Sequence, residues 1–196
     1  STLCAKDGAI WFKDEKIADT ADILLPGVHN VENYMTAIGV VWGDVSLESI
    51  RYIAKHFGKI PHRIEFTREI DGVKYYNDSI ATSPTRAMAG LNSFENKVII
   101  IAGGYDKHIP FEPMAETVVN KVKKLVLMGD TAPKIRAAVE NAANYKPGCI
   151  EIIDADSMEE AVKIASNGAV KGDNILLCPA CASFDKYKNF EERGNH

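Results

Sequence analysis

Long apolar runs are missing from this sequence. The longest, such as Val98 to Ala102, fall far short of the roughly 20 residues that a helical membrane span needs. No charged-then-apolar leader opens the chain. Neither charge sign forms a block: 23 Lys and Arg stand against 27 Asp and Glu, a formal net charge of −4, so neither a nucleic-acid footprint nor a polybasic membrane anchor is expected. Cysteine is scarce, with four residues at positions 4, 149, 178 and 181. A chain of 196 residues needs no disulfide staples, and the scarcity fits a reducing, cytoplasmic compartment. Repeats and low-complexity stretches are absent. So are the Gly-x4-Gly-Lys-Ser/Thr phosphate loop and Gly-x-Gly-x-x-Gly, which leaves triphosphate cradling and dinucleotide binding without a signal of their own. What remains is a folded chain whose partner is a small molecule.

Apolar residues make up 46% of the chain and charged residues 26%, enough for one good core plus a piece of another. Residues 1 to 25 alternate β-prone pieces, Ala9 to Phe12 and Ile23 to Leu25, with polar turns, and bury too little to stand alone. Ser1 is an unusual first residue and points to an excised or processed piece. Helical spacing of Val31, Tyr34, Met35, Ile38 and Val41 predicts one amphipathic helix from Asn30, which either caps it or faces a ligand. A second follows over Leu47 to Phe57, capped by Ser46 and closed by Gly58 in the left-handed conformation. Lys59-Ile60-Pro61 reads as a boundary between residues 1–60 and 61–196, because proline pushes the residue before it out of helix.

Beyond Pro61 strands and helices alternate. Arg63 to Ile70 and Val73 to Asn77 read as a hairpin across Asp71-Gly72. Val98 to Ala102, Leu125 to Met128, Ile150 to Ile153 and Ile175 to Cys178 read as buried strands. Helices are expected at Pro84 to Leu91, Phe111 to Val122, Pro133 to Ala143 and Met158 to Gly168, with Ser83 as a cap and Ser157 with Glu160 as a capping box. This order implies a mostly parallel, doubly wound α/β sheet. Ligands of such sheets sit at the carboxyl ends of the strands, which singles out Asn77 to Thr82, Gly103 to His108, Gly129 to Thr131 and Pro179 to Ser183.

Those loops carry the chemistry. Asn77 to Pro84 brings hydroxyls, a carboxylate and helix-start amides together, or else is an ordinary turn and cap. Paired glycines in Gly103-Gly104-Tyr105-Asp106-Lys107 let an anion approach the backbone beside a mobile cation. Arg63 can grip a phosphate or carboxylate, although an arginine opening a strand is more often a solvated edge residue. Cys178 and Cys181 have the spacing of a dithiol redox site, but they follow the last strand, and small buried thiols are the preferred reading. Zinc ligands at matched spacing are lacking. Ser183 heads a closing helix with Phe184, Tyr187 and Phe190 on its apolar face.

Taken in order, HNVEN, PHRIEF, YYNDSIATSP, IAGGYDK and PACASFDKYKNFEERG resemble the Mur ligase family, in its D-glutamate-adding branch, from about Ile17 to the last residue. The resemblance implies a Rossmann-like domain over residues 61–196, slightly truncated, preceded by the tail of a central ATP-binding α/β domain in residues 1–60. It also implies that the phosphate loop and the magnesium ligands lie upstream, with no metal ligand assigned in this chain, and that the chain alone is inactive without its N-terminal and central domains. The implied reaction is ATP-dependent, by way of an acyl phosphate on UDP-N-acetylmuramoyl-L-alanine, in the synthesis of peptidoglycan precursors. By the same resemblance Asn30 and Asn33 face ATP, Arg63 its phosphates and Asp78 the ribose, while Thr82, Lys107, Ser183 and Phe190 hold D-glutamate, Lys107 being the catalytic cation. The resemblance departs at Ile80, where many relatives carry lysine, which implies that D-glutamate here depends more on Lys107 or that another cation takes that place. The alternatives from other classes are a stand-alone module that binds small carboxylates and a Cys-x-x-Cys oxidoreductase.

Overall fold

A computed structural model describes residues 3–25, 27–58 and 60–196. Lys59 of the Lys59-Ile60-Pro61 boundary, and the side chain of His29 in the HNVEN segment, lie outside the described residues. The chain divides into two compact units, Ser1–Ile60 and Pro61–His196.

In the first unit, β1 (Leu3–Lys6), β2 (Ala9–Phe12) and β3 (Glu15–Asp19) form an antiparallel sheet in that order. Ile23 to Leu25, expected as a strand, follow a single 3-10 turn (Thr20–Asp22) instead and pair with nothing in the sheet. Ile10 and Ile17 are fully buried against Ile38 of α1 (Val28–Val41) and Ile50 of α2 (Leu47–His56). Ser46 does cap α2, its Oγ accepting the Ser49 N–H at 3.1 Å. Gly58 is not left-handed; the chain leaves α2 extended from Phe57. Asn30 does not cap α1 either: Gly27 does, and Asn30 lies within the first turn.

The second unit is a six-stranded sheet in the order β4-β5-β9-β6-β7-β8, from β4 (Glu65–Ile70), β5 (Val73–Asn77), β6 (Val98–Ala102), β7 (Val122–Leu127), β8 (Glu151–Asp154) and β9 (Asn174–Leu177). Only β4 runs antiparallel, joined to β5 through Asp71 and Gly72 with φ of 52° and 78°, the left-handed pair that a two-residue hairpin turn needs. Alternation along β6 sets the two layers. Val98, Ile100 and Ala102 pack with α3 (Pro84–Asn92), α4 (Glu112–Lys121) and α5 (Ala132–Glu140), whereas Ile99 and Ile101 face α6 (Met158–Ser166). Fully buried core side chains such as Leu125 and Leu127 each contribute about 1.5–3 kcal/mol through lost apolar contact with water.

Two caps differ from expectation. Ser83 makes no side-chain cap bond, so Pro84 alone marks the start of α3. Ser157 caps α6 at 3.1 Å, but Glu160 reaches past it to the Asp156 N–H, leaving the capping box unreciprocated. The last helix, α7, spans only Phe190–Asn195 with Asn189 as its cap, so Ser183 does not head it. Residues 183 to 187 form a separate turn, in which the Ser183 carbonyl accepts the Lys186 and Tyr187 amides. Among the described residues no helix is long and apolar enough to cross a membrane.

Candidate functional site

Because β9 lies between β5 and β6, the loops leaving these three neighbouring strands share one rim. Strand order reverses there: β6 leads onward to β7, while β9 is reached by the return from β8, which makes this rim the switch point where a crevice opens. The loop after β6 is stitched to the loop after β9 by Gly103 N to Pro179 O at 2.8 Å and Tyr105 N to Ala182 O at 3.0 Å. Lys107 crosses to the loop after β5, its Nζ donating to the Thr82 carbonyl at 3.3 Å. Thr82, Lys107 and Ser183 are therefore carried by loops that touch one another, with Lys107 exposed and Ser183 only 2% exposed. Phe190 opens α7, where its carbonyl accepts the Ser79 hydroxyl at 2.8 Å and its ring meets the His62 imidazole edge-on at 6.0 Å.

Glycine is required at this rim. Gly103 has φ 111°, and a Cβ there would lie 1.9 Å from the Met128 carbonyl oxygen. Thr131 closes the adjoining loop: its Oγ1 accepts the Gly104 N–H and lies 3.0 Å from Cys181 Sγ. The edge-to-face pair of Tyr105 and Phe184, the latter 64% exposed, lies on the same rim.

Arg63 sits between two left-handed residues, His62 with φ 62° and Ile64 with φ 44°. That conformation is strained for a β-branched side chain and persists only where neighbours hold it. Here the His62 N–H donates to Glu65 Oε2 at 2.8 Å, the Ile64 N–H to Asp78 Oδ1 at 3.1 Å, and the Ile80 N–H to the His62 carbonyl at 3.1 Å. Burial lowers the Arg63 pKa, and the neighbouring Arg86 lowers it further; two adjacent cations in one place suit an anion. In the first unit Asn33 Nδ2 donates to Asn30 Oδ1 at 3.4 Å, so both amides share one face of α1.

Asp78 is 3% exposed, and burial pushes its carboxyl up to about 7 despite the Ile64 N–H and the charges of Arg63 and Arg86, which all act downward. A folded pKa raised above the usual 3.8 means that the folded state holds the proton more tightly than the unfolded chain. This contribution is therefore fully present below pH 3.8 and is lost as pH rises through about 7. Raising the pH from 5 to 8 should destabilise the parent chain relative to Asp78→Asn by on the order of a few kcal/mol, read as a fall in its thermal midpoint. Parallel melting curves for the two proteins across that range would contradict it.

Cys178 and Cys181 are buried and free. Burial raises the Cys178 thiol well above its ordinary range and Cys181 to about 11, so neither is a thiolate at neutral pH, as a dithiol oxidoreductase requires of its attacking sulfur.

Sequence reasoning gave no role to Arg193, 3% exposed, whose guanidinium makes four hydrogen bonds inside the second unit. An arginine in a polar closing segment reads as a surface residue, and only the tertiary structure buries it.

The family described as "Mur ligase, glutamate ligase domain" matches residues 62–181. The UDP-N-acetylmuramoylalanine–D-glutamate ligase of Clostridium botulinum is 54% identical over 192 residues, covering 98% of this chain and 42% of that protein. The protein of the same name from Clostridium perfringens is 50% identical over 190 residues, covering 97% and 42%. The chain thus spans less than half the length of these curated relatives. Among solved structures, E. coli FolC in complex with ADP aligns with a TM-score of 0.66 at 16% identity, covering 98% of this chain and 44% of that one. A folylpolyglutamate synthase/dihydrofolate synthase from Yersinia pestis, complexed with AMPPNP and Mn ion, aligns at 0.64 and 14% identity, covering 98% and 44%; at such identities the likeness speaks for the fold alone. By sequence, the chain belongs to the Mur ligase family, with its glutamate ligase domain over residues 62–181.

Proposed function

We propose that this chain is the C-terminal, amino-acid-holding part of an ATP-dependent ligase that joins D-glutamate to UDP-N-acetylmuramoyl-L-alanine. The observation that carries this reading is the shared rim on which Lys107 bridges to the Thr82 loop beside the Ser183 turn, in a chain 54% identical to a relative bearing that name. Residues 1–60 are then the end of a central ATP-binding domain, and residues 61–196 the domain that presents the amino acid.

ATP supplies the phosphoryl group that activates the substrate carboxylate; the D-glutamate amine then attacks the acyl carbon, phosphate leaves, and an amide forms. Lys107 is assigned to a carboxylate of D-glutamate, an interaction that fixes the amine for attack. Thr82 and Ser183 add hydroxyls, and the Phe190 region lies toward the side-chain carboxylate. Arg63, beside Arg86, is suited to the phosphates. Asp78 keeps acceptor capacity for a ribose hydroxyl, since the Ile64 N–H occupies only part of one carboxylate oxygen. Asn30 and Asn33 are assigned to ATP. By the family resemblance, the residues that hold magnesium are assigned upstream of this chain.

The test is ADP release driven by D-glutamate, in the full-length enzyme and in the 196-residue chain. Turnover is expected in the first and none in the second. Turnover by the chain alone, or a full-length enzyme indifferent to D-glutamate, would refute the reading.

A further inference from the structure

Two side chains outside the assigned contacts tie the rim together. Arg193 Nε donates to Ser79 Oγ at 2.9 Å and its Nη2 to Ser79 O at 2.9 Å, which grips the loop that runs on to Thr82. The same guanidinium reaches the loop after β9, donating to Cys181 O at 3.1 Å and Ala182 O at 3.0 Å, immediately before Ser183. Four bonds to three residues on two loops need a planar fork, and a lysine ammonium cannot reproduce them. The guanidinium meets carbonyls and a hydroxyl, with no carboxylate among its hydrogen-bond partners. Burial draws its pKa down to about 10, so it remains charged at neutral pH.

Asn77 serves the other end. Its Nδ2 lies 2.9 Å from His62 Nδ1 and donates to the Gly194 carbonyl at 3.1 Å, while its Oδ1 accepts the Ser79 N–H at 3.1 Å. Gly194 leaves room for this arrangement: a Cβ on it would come within 2.3 Å of His62 Nδ1. The imidazole so held belongs to one of the two left-handed residues that flank Arg63.

We propose that Arg193 and Asn77 are positioning residues of the ligation: Arg193 fixes the Thr82 loop against the Ser183 turn, and Asn77 fixes the strained backbone that presents Arg63. The inference rests on the function proposed above, and it divides the labour. Arg193 governs the amino-acid end of the rim and Asn77 the nucleotide end.

The test measures steady-state kinetics of the full-length enzyme, with the folded fraction determined alongside. Arg193→Lys is expected to cost about 10²-fold in kcat/KM for D-glutamate, the scale of a small misplacement by a residue remote from the reacting atoms. Asn77→Asp keeps the acceptor for Ser79 and loses the amide donor, and its expected signature is a KM for ATP raised roughly tenfold, with the KM for D-glutamate nearly unchanged. A parental kcat/KM for D-glutamate in folded Arg193→Lys, together with a parental KM for ATP in folded Asn77→Asp, would overturn the proposal and leave a merely structural role. Should Arg193→Lys not fold, Asn77→Asp alone decides. The function itself is judged separately, by whether the parent enzyme responds to D-glutamate at all.

Discussion

Lys107→Met in the full-length enzyme is expected to raise the KM for D-glutamate by roughly 10- to 100-fold, the equivalent of one charge-assisted hydrogen bond. Its thermal midpoint should not move. Lys107 is exposed, and among the described residues its Nζ reaches a single backbone carbonyl at 3.3 Å, a contact too weak to matter to folding. The effect falls on D-glutamate because an isoleucine, which cannot pair with a carboxylate, stands at position 80 of the neighbouring loop. Ile80→Lys should accordingly recover part of the loss when introduced with Lys107→Met. Initial rates of ADP release against D-glutamate concentration measure both. A KM within twofold of the parent would remove Lys107 from the site.

Gly103→Ala has the opposite profile, a loss of the fold rather than of binding. The residue sits at φ 111° at the end of β6, and an added Cβ would stand 1.9 Å from the Met128 backbone oxygen just beyond β7. The atoms it would meet are all Met128 backbone, which cannot swing away as a side chain can. Relief requires the ends of β6 and β7 to separate, breaking the Met128 N–H bond to the Ala102 carbonyl at 2.9 Å. Left-handed strain of about 1–3 kcal/mol and overpacking of about 1–3 kcal/mol combine to about 2–6 kcal/mol. That is a large part of the roughly 5–15 kcal/mol that holds a domain together. Urea titration of the 196-residue chain, followed by far-ultraviolet circular dichroism, reads this as a midpoint shift. A shift worth less than about 1 kcal/mol would mean that the glycine is dispensable.

The parallel sheet was legible because β6, β7 and β9 each contain a short apolar run and the crossovers are amphipathic stretches. Val98 to Ala102 could be read as buried on both faces, and it is. The rim followed from topology, since strand ends select loops before any side chain is placed. Features set by tertiary contact were not legible. Ser183 appeared to start a helix because Phe184, Tyr187 and Phe190 recur at helical spacing, yet the chain makes a separate turn and restarts at Asn189. Gly58 looked like a left-handed terminus, but the helix before it ends in an extended Phe57. β1 and β3 were missed because Leu3–Lys6 and Glu15–Asp19 carry little apolar pattern and are fixed by pairing with Ala9–Phe12. The buried charge of Arg193 and the strain around Arg63 have no sequence signature, since both depend on which loops meet.

The most direct measurement of the central claim is the position of D-glutamate in a crystal of the full-length enzyme containing this chain, soaked with the amino acid and ADP. The account predicts a carboxylate about 3 Å from Lys107 Nζ, with the Thr82 and Ser183 hydroxyls on the same molecule. A ligand seated away from the ends of β5, β6 and β9, with Lys107 still turned to the Thr82 carbonyl, would contradict it.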